Sequence, residues 1–199
     1  MKPILFSTPM VNALQEGTKA QTRRICQYNK AYDIFYDGKH EVEAEQTIEN
    51  MKPCKYKVGD ILWVRETWQH TKCLNLKDDN ELYGYVYKAS PNGKDFQVNM
   101  LHWKWKPSIF MPKEAARFYL QIEEVRCERL NDISEADAIA EGIEQEFDTF
   151  LDYSAKSKTG SYYLNAVESY ATLWDKINDK GSWSKNPFVW VIKFNVMPF

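Results

Sequence analysis

The chain has 199 residues, 44% of them hydrophobic, with a net charge of -2 and a pI near 6.0. That length and hydrophobic content suit one globular domain, or one domain carrying insertions. The charge balance excludes a protein that holds nucleic acid through its overall field, but leaves room for a local basic patch.

Ile4-Leu5-Phe6 reads as a short strand. Thr8 is placed as an N-cap with Pro9 at the first helical position, and Met10 to Glu16 as two helical turns. Gly17 supplies the left-handed stop. Residues 27 to 57 form a long polar excursion with a short hairpin around Asp37-Gly38, followed by a turn at Lys57-Val58-Gly59-Asp60. Ile61 to Trp68 reads as a central strand, apolar on both faces until Arg65 and Glu66. Leu82 to Tyr87 is another strand, with its partner expected near Phe96 to Leu101 through a turn at Pro91-Asn92-Gly93. Residues 103 to 112, rich in aromatics, cations and proline, read as a loop lining a site.

Phe118 to Val125 alternates as a strand, with Phe118, Leu120 and Ile122 on one face. Ser134-Glu135-Ala136-Asp137 opens a helix with a capping-box pattern, running to Glu141 before Gly142. Residues 144 to 160 read as a loop ending in Lys158-Thr159-Gly160. Tyr162 to Asn178 carries apolar residues at helical spacing, and Gly181 closes that segment. Asn186-Pro187 is a turn before Phe188 to Phe194, a strand buried on both faces. The pattern predicts an α+β fold: a mostly antiparallel β-barrel with flanking helices.

The candidate chemistry starts in Gly17-Thr18-Lys19-Ala20-Gln21-Thr22-Arg23-Arg24. Lys19 and Thr22, three residues apart, can meet on one face of a turn. A threonine hydroxyl needs a base, and a lysine serves as one only if burial or neighbouring cations lower its pKa. Arg23 and Arg24 supply such cations. Glu141, at a helix end beside a glycine, is the candidate carboxylate. The same residues also read as a solvated basic turn. Arg65 and Glu66 at a strand end suit a salt bridge or a substrate contact, and Trp68 either stacks on a base or closes the core. Lys106-Pro107-Ser108 suits phosphate contact or an ordinary loop. Cys26, Cys54, Cys73 and Cys127 lack a Cys-x-x-Cys spacing and read as reduced thiols in a cytoplasmic protein. His70 with Cys73 is too small a set for a metal site, so no metal and no cofactor is expected. Met1 to Phe6 is too short an apolar run for a signal peptide. No stretch approaches the roughly 18 apolar residues of a membrane span, so no membrane partner is expected.

Gly17-x-Lys19-x-x-Thr22-x-Arg24, Val58-Gly59-Asp60 leading into a strand, and the helix from Ser134 to Gly142 resemble an ASCH domain of the PUA-like superfamily. Leu62 to Trp68, Lys106 to Pro112 and Ile133 to Ile143 extend the resemblance to the larger ASCH proteins of phages and prophages. The resemblance covers nearly the whole chain and implies one PUA-like β-barrel domain with insertions at about 27–55, 69–108 and 144–160. It also implies a role on RNA. Small bacterial members include an amidohydrolase that deacetylates N4-acetylcytidine, and its catalytic lysine, threonine and glutamate fall on Lys19, Thr22 and Glu141. On that reading Arg24 and Arg65 stabilise an oxyanion or bind sugar and phosphate, and Trp68 stacks on the base. Glu66, Lys106 and Ser108 complete the substrate contacts. The alternative is a non-catalytic module that binds a nucleoside or single-stranded nucleic acid, RNA rather than DNA. A ribonuclease is a third reading.

Overall fold

The structure is a computed structural model and describes residues 1–27, 34–36, 41–43, 51–75, 81–89, 96–97, 104–153 and 162–197. In chain order it begins with β1 (Lys2–Leu5), α1 (Thr8–Gln15) and β2 (Gln21–Ile25). Then come β3 (Ile34–Tyr36), β4 (Glu41–Glu43), β5 (Ile61–Arg65), β6 (Trp68–Asn75), β7 (Glu81–Tyr87) and β8 (Phe96–Gln97). The second half holds β9 (Tyr119–Arg129), α2 (Glu135–Ala140), β10 (Gln145–Glu146), β11 (Thr149–Leu151) and β12 (Tyr162–Tyr163). It closes with α3 (Ala166–Ile177) and β13 (Phe188–Val196). The fold is mixed α+β. Among the described residues the strand pairings with a defined register are antiparallel except for β1 beside β5. Among the described residues no helix is long and apolar enough to cross a membrane.

The chain divides into two compact units. The first comprises Met1–Gly17, Asp60–Gln121 and Asn195–Phe199. In it β5 lies between β1 and β9, which explains why Leu62, Trp63 and Val64 are all buried. β5 stops at Arg65, and Trp68 already belongs to β6, so the run from Ile61 to Trp68 is two strands rather than one. Ser7 rather than Thr8 holds the N-cap position of α1, without a side-chain cap bond, and Gly17 follows the Glu16 C-cap at φ +74. β7 does not pair with the strand near Phe96. Its partner is β6, in a ladder from Trp68 opposite Tyr87 to Leu74 opposite Glu81, and β8 takes the other edge of β6. β6 was hidden in the sequence because His70-Thr71-Lys72-Cys73 has no apolar alternation. The expected turn at Pro91-Asn92-Gly93 lies outside the described residues.

The second unit comprises Thr18–Gly59 and Ile122–Phe194. Here β13 lies between β9 and β2, as its apolar run requires. One face of β13, through Val189 and Val191, joins a core of Leu130, Ile133, Ala138, Tyr170 and Trp174 beneath α2 and α3. β3 and β4 form the expected hairpin, although its turn, with Asp37-Gly38, is outside the described residues. Part of the segment read as a loop, 144 to 160, is β10 and β11, in a three-stranded sheet completed by β12. Lys158-Thr159-Gly160 is not described.

Both helices of this unit begin on side-chain caps. Ser134 Oγ accepts from Asp137 N–H at the start of α2. α3 starts later than Tyr162, because Asn165 Oδ1 accepts from the N–H groups of Val167 and Glu168. The Glu135 carboxylate of α2 also accepts from Ala166 and Val167 N–H, so one helix helps cap the other. Asn165→Ala is therefore expected to cost about 1 kcal/mol in urea unfolding. Asn165→Asp, which keeps the acceptor, should cost much less.

Candidate functional site

In the second unit the segment after Gly17 is pinned on both sides. Lys19 bridges Glu141, Ala20 N–H donates to Ala140 O, and Ala20 O accepts from Phe194 N–H. This places Lys19 at the C-terminal end of α2, where helix carbonyls lack intrahelical donors and a cation is favoured. Lys19 Nζ donates to the Glu141 main-chain oxygen at 2.6 Å and to Glu141 Oε2 at 3.2 Å. Gln21 Nε2 donates to Asp137 O at 2.9 Å. The Lys19 side chain has 0% exposure and that of Glu141 4%.

Arg23 ties the rest of the network together, and its side chain is also fully buried. Its Nη1 donates to Glu141 Oε1 at 3.0 Å, and Nη2 to Glu128 Oε1 at 2.6 Å and Asp137 Oδ2 at 2.9 Å. Nε completes the set on Glu128 at 3.2 Å. Arg126 lies outside this layer and bonds Glu124, Glu128 and Asp137. Each Glu141 carboxylate oxygen thus faces a different cation. Burial lowers the Lys19 pKa from its ordinary 10.5; Glu141 opposes the shift, while Arg24 and Arg23 add to it. For Arg23 burial works against the charge but is outweighed by Glu141 and Glu128, so its pKa is raised. Burial beside Glu141 pushes the Tyr170 hydroxyl well above 10. Among the described residues no group of three or more His, Cys, Asp or Glu is arranged to hold a metal ion. The carboxylates here are turned onto Arg23.

β2 separates the signature residues by strand alternation. Gln21 and Arg23 face α2. Thr22 and Arg24 take the opposite face, opposite Ile192 and Trp190 in the ladder with β13. The structure therefore brings Lys19 and Glu141 together and turns Thr22, itself buried, to the other side of the sheet. On that side a cleft of about 290 Å³ is lined by Arg24, Lys52, Cys54, Lys55, Tyr56 and Trp190 among others, with no acidic residue among them. Sequence reasoning missed Lys52, Lys55, Tyr56 and Trp190. The available signals were the basic-aromatic run Lys55-Tyr56-Lys57 and a tryptophan set between two core valines.

The remaining candidates belong to the first unit. Arg65 and Glu66 do not pair with each other, because successive strand-end residues point to opposite sides. Arg65 donates to the carbonyls of Ile109 and Met111, and its guanidinium lies 5.2 Å from the Trp63 ring centre. Glu66 is buried and accepts two bonds from Arg117, at 2.7 and 2.8 Å. Arg117 in turn sits 4.4 Å over Tyr87, whose hydroxyl burial pushes up to about 12. Trp68 closes a small core with Met111 and Ala115 and is 6% exposed, so its ring is used in packing and is not open to a base. Lys106 is exposed, exchanges backbone hydrogen bonds with Trp68 and places Nζ 4.9 Å over that ring. Ser108 is half-buried and opens a single 3₁₀ turn, Ser108–Phe110.

Compared with known proteins, the chain matches no family, no curated protein and no solved structure.

The buried network sets a pH signature. Lys19 titrates below 10.5 in the folded chain and near 10.5 in the unfolded one, so between those values the unfolded state holds more protons. Stability should rise with pH across that window, by at most about 1.4 kcal/mol per pH unit, and be flat below it. Urea midpoints measured against pH should show this limb in the wild type and lose it in Lys19→Met. Glu141→Gln leaves the lysine charge without its carboxylate and is expected to cost about 3–5 kcal/mol at neutral pH. It should also lower the Lys19 pKa further, as read by NMR of the lysine side chain.

Proposed function

We propose that this chain is a PUA-like protein of the ASCH type that binds a nucleotide or short single-stranded nucleic acid, RNA in preference to DNA. One observation carries the reading. The alternation of β2 turns Lys19 and Arg23 to buried carboxylates and Arg24 to the other face, opposite Trp190, on a cleft lined by cations and aromatic rings. Cations position phosphates and rings stack on bases, and neither needs an overall positive charge on the protein. In this reading the antiparallel strands around β9 and β13 belong to a PUA-like barrel. In this reading the protein is cytoplasmic, which suits the free thiols of Cys26, Cys54 and Cys127.

A second reading, hydrolysis of an acylated nucleoside amide, draws support from the Lys19–Glu141 pair. A desolvated lysine with a lowered pKa is what a general base requires. Lys19 Nζ would take the Thr22 Oγ1 proton as Thr22 attacks the acyl carbon, Glu141 would relay that proton to the departing amine, and water would then hydrolyse the acyl-threonine ester to release the acid and restore Thr22. Two features weigh against it: the Lys19 side chain has no exposed surface, and Thr22 lies on the opposite face of β2.

The readings separate in two assays. Short single-stranded RNA should bind saturably, bind more weakly as salt rises, and lose affinity in Arg24→Ala. Incubation with N4-acetylcytidine and related acylated nucleosides should give no turnover. Turnover that disappears in both Lys19→Ala and Thr22→Ala would replace the binding reading with the hydrolase.

A further inference from the structure

We infer that the cleft beside β2 holds a single nucleotide, its phosphate against Arg24, Lys52 and Lys55 and its ring against Trp190. The inference rests on the binding reading above and assigns it a site that the signature residues Lys19 and Thr22 do not line.

β13 supplies the first argument. Val189 and Val191 are completely buried in the α3 core, whereas Trp190 between them is half-buried and lines the cleft. A large ring left partly open in the middle of an interior strand is a stacking platform in a ready position. Its ladder partner is Arg24, so a guanidinium and an indole stand side by side on the same face. The segment carrying Lys52 and Lys55 is tied to the end of β2 by Lys52 N–H donating to Gln27 O at 2.6 Å. Lys55 Nζ lies 4.6 Å over the ring of Tyr56, itself buried, so this cation rests on a fixed aromatic base at the rim.

Charge distribution gives the second argument. Glu128, Asp137 and Glu141 turn to Arg23 on the helix side of β2, whereas the described lining of the cleft on the other side holds three cations, Arg24, Lys52 and Lys55, and no carboxylate. An anion entering the cleft meets no opposing charge among the described lining residues. Size is the third argument. At about 290 Å³ the cleft sits at the small end of ligand pockets, which run from about 300 to 1,000 Å³. That is room for one nucleotide and not for a duplex. Phosphate alone would use only the cations, and a nucleoside alone only the rings. A nucleotide, free or at the end of a strand, uses both.

The test is isothermal titration of the full chain with nucleoside 5′-monophosphates, the matching nucleosides, inorganic phosphate, and a short single-stranded RNA with and without a 5′-phosphate. A monophosphate should bind at least about tenfold more tightly than its nucleoside or than phosphate, as charge-assisted bonds and stacking combine. The double variant Lys52→Ala/Lys55→Ala should lose that advantage over the nucleoside. Trp190→Leu should lose the advantage over phosphate, by about fivefold or more. Preference for the 5′-phosphorylated RNA over the free monophosphate would assign the strand end as the source, and the reverse would assign the free nucleotide. If RNA binds equally well to the wild type and to the lysine variant but loses affinity in Arg24→Ala, and no monophosphate binds, the single-nucleotide assignment is overturned while the binding reading stands. If neither RNA nor any monophosphate binds, both fall.

Discussion

The arrangement of the second unit depends on one buried guanidinium. Arg23 has no exposed side-chain surface, and its donors reach Glu141, Glu128 and Asp137. Taking such a charge out of water is costly, and only near-complete pairing offsets it. The pairing fixes more than energy. Glu128 is on β9, Asp137 on α2 and Glu141 at the α2 C-cap, so one side chain sets β2 against two other elements. Lys19 makes the same demand in the extended chain just before β2, at the carbonyl end of α2. Removing either cation leaves one buried Glu141 oxygen without its partner, so the network disfavours a shifted register of this segment.

That register has a consequence for chemistry. A strand presents alternate residues to opposite sides. Once Lys19 and Arg23 are committed to α2, Thr22 and Arg24 must face Trp190 and Ile192. The ionic and aromatic resources of one short segment are thereby divided between a saturated interior network and an open cleft. A lysine whose pKa burial lowers is suited to proton transfer, but the same burial that lowers it also encloses it.

In the first unit, too, charged residues serve structure. Glu66 is buried against Arg117, Arg117 covers Tyr87 and Phe118, and Lys106 covers Trp68. Among the described residues these cation-ring contacts account for the placing of Trp68, Tyr87 and Phe118 beside basic side chains.

The sequence by itself determined the local elements whose signals are short-range. Gly17, Gly59 and Gly142 stop their segments in the left-handed conformation, Ser134 caps α2, and the apolar run of β13 places it between two strands. It also singled out Lys19 and Glu141, which meet across 122 residues. The polar strand β6, the pairing of β7 and the late start of α3 were not legible, because each is decided by the neighbouring strand or helix rather than by its own alternation. The same limit applies to the site. Residue identity shows that a lysine, a threonine and two arginines are close along the chain. Which of them share a face is set by where β2 pairs and by which carboxylates lie beneath it. Only the tertiary structure decided that Arg23 is interior and Arg24 lines a cleft, because a side chain's environment is built by residues more than a hundred positions away.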